Sequence, residues 1–162
     1  MKRQFTVLLI LFFSFAGLLQ LAYASEIFSR GSKWNYYKGN DHPSGGDLEW
    51  TELEFDDSDW LNGKSPFRYG DGSGGTLLSD MPNQYTTVFF RKFFTVPNPK
   101  DISELDLIID YDDGFIVWIN GEEVLNVGGV DDPDYDSLAT VGHESGTFET
   151  FALQDPGSFL IK

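Results

Sequence analysis

The stretch Gly70-Asp71-Gly72-Ser73-Gly74-Gly75 offers two chemistries. Gly70, Gly72 and Gly75 fit the G-x-G-x-x-G spacing that cradles a dinucleotide pyrophosphate. That fingerprint works only when a strand feeds the loop and a helix opens after it, with its N-terminus facing the phosphates. Here Thr76-Leu77-Leu78-Ser79-Asp80 follows and Pro82 comes seven residues after Gly75, so no useful helix fits. The same letters nearly spell a serine nucleophile loop, but Gly72 separates Asp71 from Ser73, and neither His42 nor His143 sits in a recognisable base motif. What remains is the glycines' ability to take positive φ in a wide loop.

Carboxylates are the commoner resource. Asp132, Asp134 and Asp136 alternate in one loop, and Asp56, Asp57 and Asp59 cluster in another. Hard oxygen ligands of this kind suit calcium, and Asx-turns in solvated loops use the same residues. An EF-hand is excluded: counted from Asp132, its sixth and twelfth positions are Ser137 and His143, where Gly and Glu are required. A carboxylate pair could cleave a glycoside, but that chemistry depends on separation in space, and 26 acidic residues make pairs common without singling one out. Aromatic residues raise carbohydrate binding instead. A flat ring stacks on the apolar face of a sugar while polar groups fix its hydroxyls. The candidate rings are Trp34, Tyr36, Tyr69 and Trp118, with Asp71 and Arg91 as polar partners; core packing is the competing use of each ring. Trp50 and Trp60 are assigned to the core.

The elements that position these residues are strands. In Thr86–Val96, Val88, Phe90, Phe94 and Val96 alternate with Thr87, Phe89, Arg91, Phe93 and Thr95. In Leu105–Tyr111, Leu105, Leu107, Ile109 and Tyr111 share a face opposite Asp106, Ile108 and Asp110. An Asp-Asp-Gly turn then leads to Phe115–Asn120, and Asn120-Gly121 signals a hairpin into Glu122–Val127. Short strands are also expected at 32–37, 48–55, 147–153 and 159–162. No long 3.6-residue apolar period with caps occurs after residue 24. The expected class is all-β, a two-sheet sandwich of jelly-roll type.

The N-terminus sets the compartment. Lys2 and Arg3, the apolar run Phe5–Leu21 and Ala22-Tyr23-Ala24 have the pattern of a secretory signal cleaved after Ala24, leaving a secreted or periplasmic domain at 25–162 with no membrane attachment. Cleavage would leave 9 basic against 26 acidic residues, so the formal charge moves from −15 to −17. Such a field disfavours a nucleic-acid partner. With no cysteine, stability must come from burial, for which 15 Phe, 7 Tyr and 4 Trp are at hand.

The order of Trp50–Trp60, Pro66–Gly72, Thr86–Val96, Asp112–Val124 and Tyr135–Thr140 resembles galactose-binding-domain-like modules, the jelly rolls that accompany catalytic domains in large secreted bacterial proteins and resemble the sugar-binding-fold domain of β-galactosidase-type glycoside hydrolases. This resemblance implies a non-catalytic module that binds carbohydrate or polysaccharide or serves a neighbouring catalytic domain of the same polypeptide. The alternative it leaves is the structural N-terminal part of a secreted hydrolase, of glycoside-hydrolase or phosphoesterase type. It also implies a further closing strand after Asp155-Pro156-Gly157, so the domain is expected to be incomplete at its C-terminus. The segment Tyr111–Val127 is similar in addition to the Asp-Asp-Gly hairpin of PA14-type domains, which implies calcium held by Asp112 and Asp113; a tight turn explains the same residues.

Overall fold

The computed structural model describes residues 2–13 by their backbone, together with residues 25–70 and 72–161. Eleven strands are present among the described residues: β1 (Lys2–Phe13), β2 (Ser25–Phe28), β3 (Lys33–Lys38), β4 (Leu61–Lys64), β5 (Phe67–Gly70), β6 (Thr76–Leu77), β7 (Val88–Arg91), β8 (Ile102–Asp110), β9 (Phe115–Ile119), β10 (Glu122–Val127) and β11 (Glu149–Ala152). Strands hold 35% of the chain and helices 7%, which makes the protein all-β. Among the described residues no helix is long and apolar enough to cross a membrane.

The strands form three sheets. The largest runs β11-β8-β1-β5-β6, with β2 also pairing with β1; β4-β3-β7 form the second, and β9 and β10 a two-stranded ribbon. Residues 2–13, part of the segment expected as a leader, lie antiparallel to β8 from Thr6↔Asp110 to Phe13↔Ile102 and to β5 from Lys2↔Gly70 to Phe5↔Phe67. The expected cleavage site at Ala22–Ala24 lies outside the described residues.

Period-2 alternation along β8 sets the main core. Leu105, Leu107, Ile109 and Tyr111 are 1%, 3%, 4% and 4% exposed, and they pack with Ile119 of β9 and with Leu153, Phe159 and Leu160. Each such apolar side chain contributes roughly 1.5–3 kcal/mol on leaving water. A second core gathers Tyr36 of β3, Phe67 of β5, and Leu78, Met81 and Tyr85 of the segment after β6, with Val88 and Phe90 packed against it. Alternation along β7 is therefore real, and both of its faces are covered: Val88 and Phe90 meet the second core, while Phe89 lies edge-on to Trp50 at 5.1 Å. That ladder is shorter than the alternation suggests, ending at Arg91, and Phe93 is 57% exposed.

The Asn120-Gly121 hairpin forms as expected, with φ of 52° and 83° and Glu122 opposite Ile119. The turn before it does something different from joining neighbours. β8 pairs with β1 and β11 and β9 pairs with β10, so Asp112-Asp113-Gly114 carries the chain from one sheet to another. Two expected strands are not formed. Residues 48–55 hold a 3-10 turn at Glu49–Thr51, and the segment after Asp155 begins with the short helix α1 (Pro156–Phe159). In the first case the backbone follows the burial of Trp50 and Trp60, each 8% exposed; in the second, Pro at the first helical position and burial of Phe159 favour a turn.

The glycine loop doubles back so that β6 lies parallel to the start of β5, with Thr76 N–H donating to Pro66 O at 2.9 Å. Gly75 has φ +62°, and a Cβ there would lie 1.9 Å from Pro66 O, so this return requires glycine. Replacing the almost fully buried Leu105 by Ala is expected to cost about 2–5 kcal/mol of unfolding free energy. Denaturant titration of the full chain measures it, and a loss below about 1 kcal/mol would show that β8 does not carry the core.

Candidate functional site

A cavity of about 520 Å³ opens where the β8–β9 turn, the loop after β10, the segment before β7 and the loop after β3 meet. Its walls are aromatic: Tyr69, Tyr85, Phe89, Phe90, Phe115 and Trp118 line it, together with the buried Trp50. Its polar lining is one-sided. Asp47, Asp112, Asp113, Asp132 and Asp134 contribute carboxylates, His42 an imidazole, and no Lys or Arg joins them among the described lining residues. Asp47, Asp132 and Asp134 are exposed and stand at the mouth, whereas Asp112 is 5% exposed.

Local chemistry holds each piece in place. His42 Nε2 lies 2.8 Å from Asp134 Oδ1, and its ring meets Tyr135 edge-on at 5.2 Å, which ties the loop after β3 to the loop after β10. Thr86 and Thr87 hydroxyls donate to the carbonyls of Asp136 and Ser137, and Gly39 N–H donates to Thr87 O. Asp47 accepts the Glu49 N–H at 3.1 Å, a bond that, with Ser44, lowers its carboxyl below the ordinary value. It therefore stays ionised wherever ordinary carboxylates do. Tyr85 is pushed well above the usual phenol range by burial first and then by its bond to Asp80, so it faces the cavity neutral.

The Asp-Asp-Gly turn is locked from outside. Asp113 takes φ +63°, its N–H donates to His143 O at 3.0 Å, and the His143 N–H donates back to Asp113 Oδ1 at 3.3 Å. His143 stacks on Tyr111 at 4.0 Å with 8° between the planes. Its Nδ1 lies 3.1 Å from Tyr111 O and its Nε2 2.7 Å from Glu149 Oε1; a neutral ring can donate to only one of these acceptors. Gly146 N–H donates to the buried Asp110 at 2.7 Å. Gly114 completes the turn, because a Cβ there would meet Val127 O at 2.8 Å and Ala139 Cβ at 3.2 Å.

Of the residues singled out in the sequence, Tyr69, Trp118, Asp112, Asp113, Asp132 and Asp134 come together around this cavity. Trp34 lines a second space of about 500 Å³ with Phe28 and Phe94, which Trp118 also lines. Tyr36 is 8% exposed and belongs to the second core rather than to a loop. Asp71 lies outside the described residues. Among the described residues no group of three or more acidic or histidine side chains is placed to hold a metal. The Asp56 cluster is used as loop chemistry: Asp56 accepts Ser58 N–H, and this bond lowers its carboxyl. His42, Asp47, Asn83 and Phe89 were not legible as site residues, since they meet only through long-range packing.

Arg91 has a different role from that of a sugar contact. Its side chain is 9% exposed, its Nε donates to Asp57 Oδ2 at 3.0 Å, and its terminal nitrogens donate to the carbonyls of Trp50, Glu52 (3.0 Å) and Phe55 (3.4 Å). One guanidinium thus satisfies four acceptors of residues 50–57, among them the carbonyl of Trp50, whose ring meets Trp118 edge-on at 5.3 Å. No protein-family model matches the chain, and no curated protein or solved structure matches it either.

Arg91→Ala leaves Asp57 buried without its partner and is expected to cost about 3–5 kcal/mol. Arg91→Lys keeps a charge but loses the fork, so it should fall between wild type and Ala. Denaturation followed by tryptophan fluorescence reads both, and a lysine variant as stable as wild type would refute the clamp.

Proposed function

We propose that this chain is a non-catalytic β-sandwich module of jelly-roll type, exported and binding carbohydrate in the cavity lined by Trp118. The observation that carries this reading is the pairing of aromatic walls with a polar mouth in a space of about 520 Å³, within the range of small-molecule sites and wide enough for one or two sugar rings. Trp118 and Tyr69 offer ring faces to the apolar side of a sugar, and Asn83, Ser137 and the mouth aspartates offer hydroxyl partners. The leader-like N-terminus and the motif order support export and an accessory role. Calcium is no part of this reading.

A second reading rests on β1. Cleavage after Ala24 would remove it and leave the edge of β8 facing β5 across an open slot. An unpaired edge of this length is an aggregation hazard that another strand would have to cover. In this reading the module serves mainly as a structural partner of a neighbouring domain of the same polypeptide, such as the catalytic domain of a secreted hydrolase.

The full chain, recovered from an exporting host and applied to a glycan array, is expected to retain at least one oligosaccharide class, and Trp118→Ala should weaken that binding about 10-fold or more. Retention of no glycan would sink the carbohydrate reading. Intact-mass measurement of the exported protein is expected to show a chain starting at Ser25; a mass that includes residues 2–13 would remove the basis of the second reading.

A further inference from the structure

We propose that, once residues 2–13 are removed, the slot they fill accepts a strand donated by the neighbouring domain, apolar on its inward face and basic on its outward face. The inference rests on the second reading above and deepens it by naming the chemistry of the partner. β1 is a central strand. β8 lies along one side of it from Thr6↔Asp110 to Phe13↔Ile102; β5 and then β2 lie along the other, from Lys2↔Gly70 to Phe5↔Phe67 and from Leu9↔Phe28 to Leu11↔Ser25. All three neighbours run antiparallel to it. Its removal therefore exposes two facing edges, and a strand entering in the same direction restores antiparallel ladders with both. Backbone pairing of this kind supplies affinity, and the side chains beside the slot supply selectivity.

Residues directly opposite one another in a ladder share a face of the sheet, so the register assigns each position of the incoming strand its surroundings. Positions 7, 9 and 11 lie opposite Ile109, Leu107 and Leu105 of the main core, and position 9 also lies opposite Phe28, which packs against the same core. Apolar residues are required there. The other face is acidic. Position 10 lies opposite Asp106 on one side and Glu26 on the other, two strand spacings or about 10 Å apart, and position 12 lies opposite Glu104. None of these three carboxylates has a cationic partner among the described residues. Asp110, opposite position 6, already accepts the Gly146 N–H, and Arg68, opposite position 4, donates to Gly74 O. Positions 10 and 12 are thus where lysine or arginine is favoured, because opposite charges across a ladder attract and like charges repel. Residues 2–13 meet the first demand with Val7, Leu9 and Leu11 but not the second, having Ile10 and Phe12.

The test refolds the exported chain from urea with a synthetic peptide added, and reads soluble yield, thermal melting and the peptide concentration that gives half the effect. One peptide is Gln4–Phe13 as it stands; a second carries Ile10→Lys and Phe12→Lys, a third Ile10→Glu and Phe12→Glu, and a fourth Leu9→Lys and Leu11→Lys. The second is expected to raise yield and melting temperature and to bind at least about 10-fold more tightly than the third. The fourth has the charge of the second on the inward face and should not bind. Glu26→Lys with Glu104→Lys in the chain changes two exposed residues and should reverse the order of the second and third peptides. Failure of all four peptides on a chain whose mass begins at Ser25 overturns this inference and leaves the second reading standing. Equal binding of the second and fourth also overturns it, by showing charge attraction alone, and equal binding of the second and third removes the basic face. A chain that keeps residues 2–13 after export has its slot already filled, and both fall together.

Discussion

The Arg91 guanidinium is the interaction on which the rest of the site depends. It projects from the end of β7 into a loop with no ladder of its own, and its donors take up the Trp50, Glu52 and Phe55 carbonyls and the Asp57 carboxylate. Buried carbonyls of an irregular segment must be satisfied, and a planar fork of fixed geometry does this where water cannot reach. Phe55 and Phe93 lie under the same cation at 5.2 and 5.4 Å. Because the loop is fixed, Trp50 is fixed, and Trp50 lines both the cavity and the second space, as Phe90, Phe115 and Trp118 do.

From that wall the aromatic contacts propagate. Trp50 meets Trp60, Phe89 and Trp118 with centroid separations of 6.3, 5.1 and 5.3 Å, joining the loop, β7 and β9. The other side of the cavity is built by hydrogen bonds rather than rings: His42 to Asp134, Thr86 and Thr87 to the Asp136 and Ser137 carbonyls, and the reciprocal pair between Asp113 and His143. An apolar wall faces a polar loop edge, in which Asp47, Asp132 and Asp134 are exposed.

Much of this framework was legible from periodicity. The β8 face, the Asn120-Gly121 hairpin, the short strands around Trp34 and Phe151, and the core positions of Trp50 and Trp60 follow from alternation, turn chemistry and residue size. Residues 48–55 imitate a strand because Leu48 and Trp50, and again Leu53 and Phe55, are spaced two apart, while tertiary burial of Trp50 imposes a 3-10 turn. Tyr36 and Arg91 have the residue types of ligand contacts, and type alone does not distinguish a sugar-stacking ring from a core ring, or a guanidinium held by a ligand from one held by backbone.

By itself the sequence determined the class of fold, the acidity and the leader-like pattern of the N-terminus, because each depends on composition or on neighbours a few residues apart. Only the tertiary structure decided that Asp47, Asp112 and Asp132 share one opening with Trp118, and that Arg91 serves the wall of that opening instead of its contents. Residues 42 and 134, or 57 and 91, are joined by contacts across sheets and loops, and no local pattern encodes which distant partner a buried charge will find.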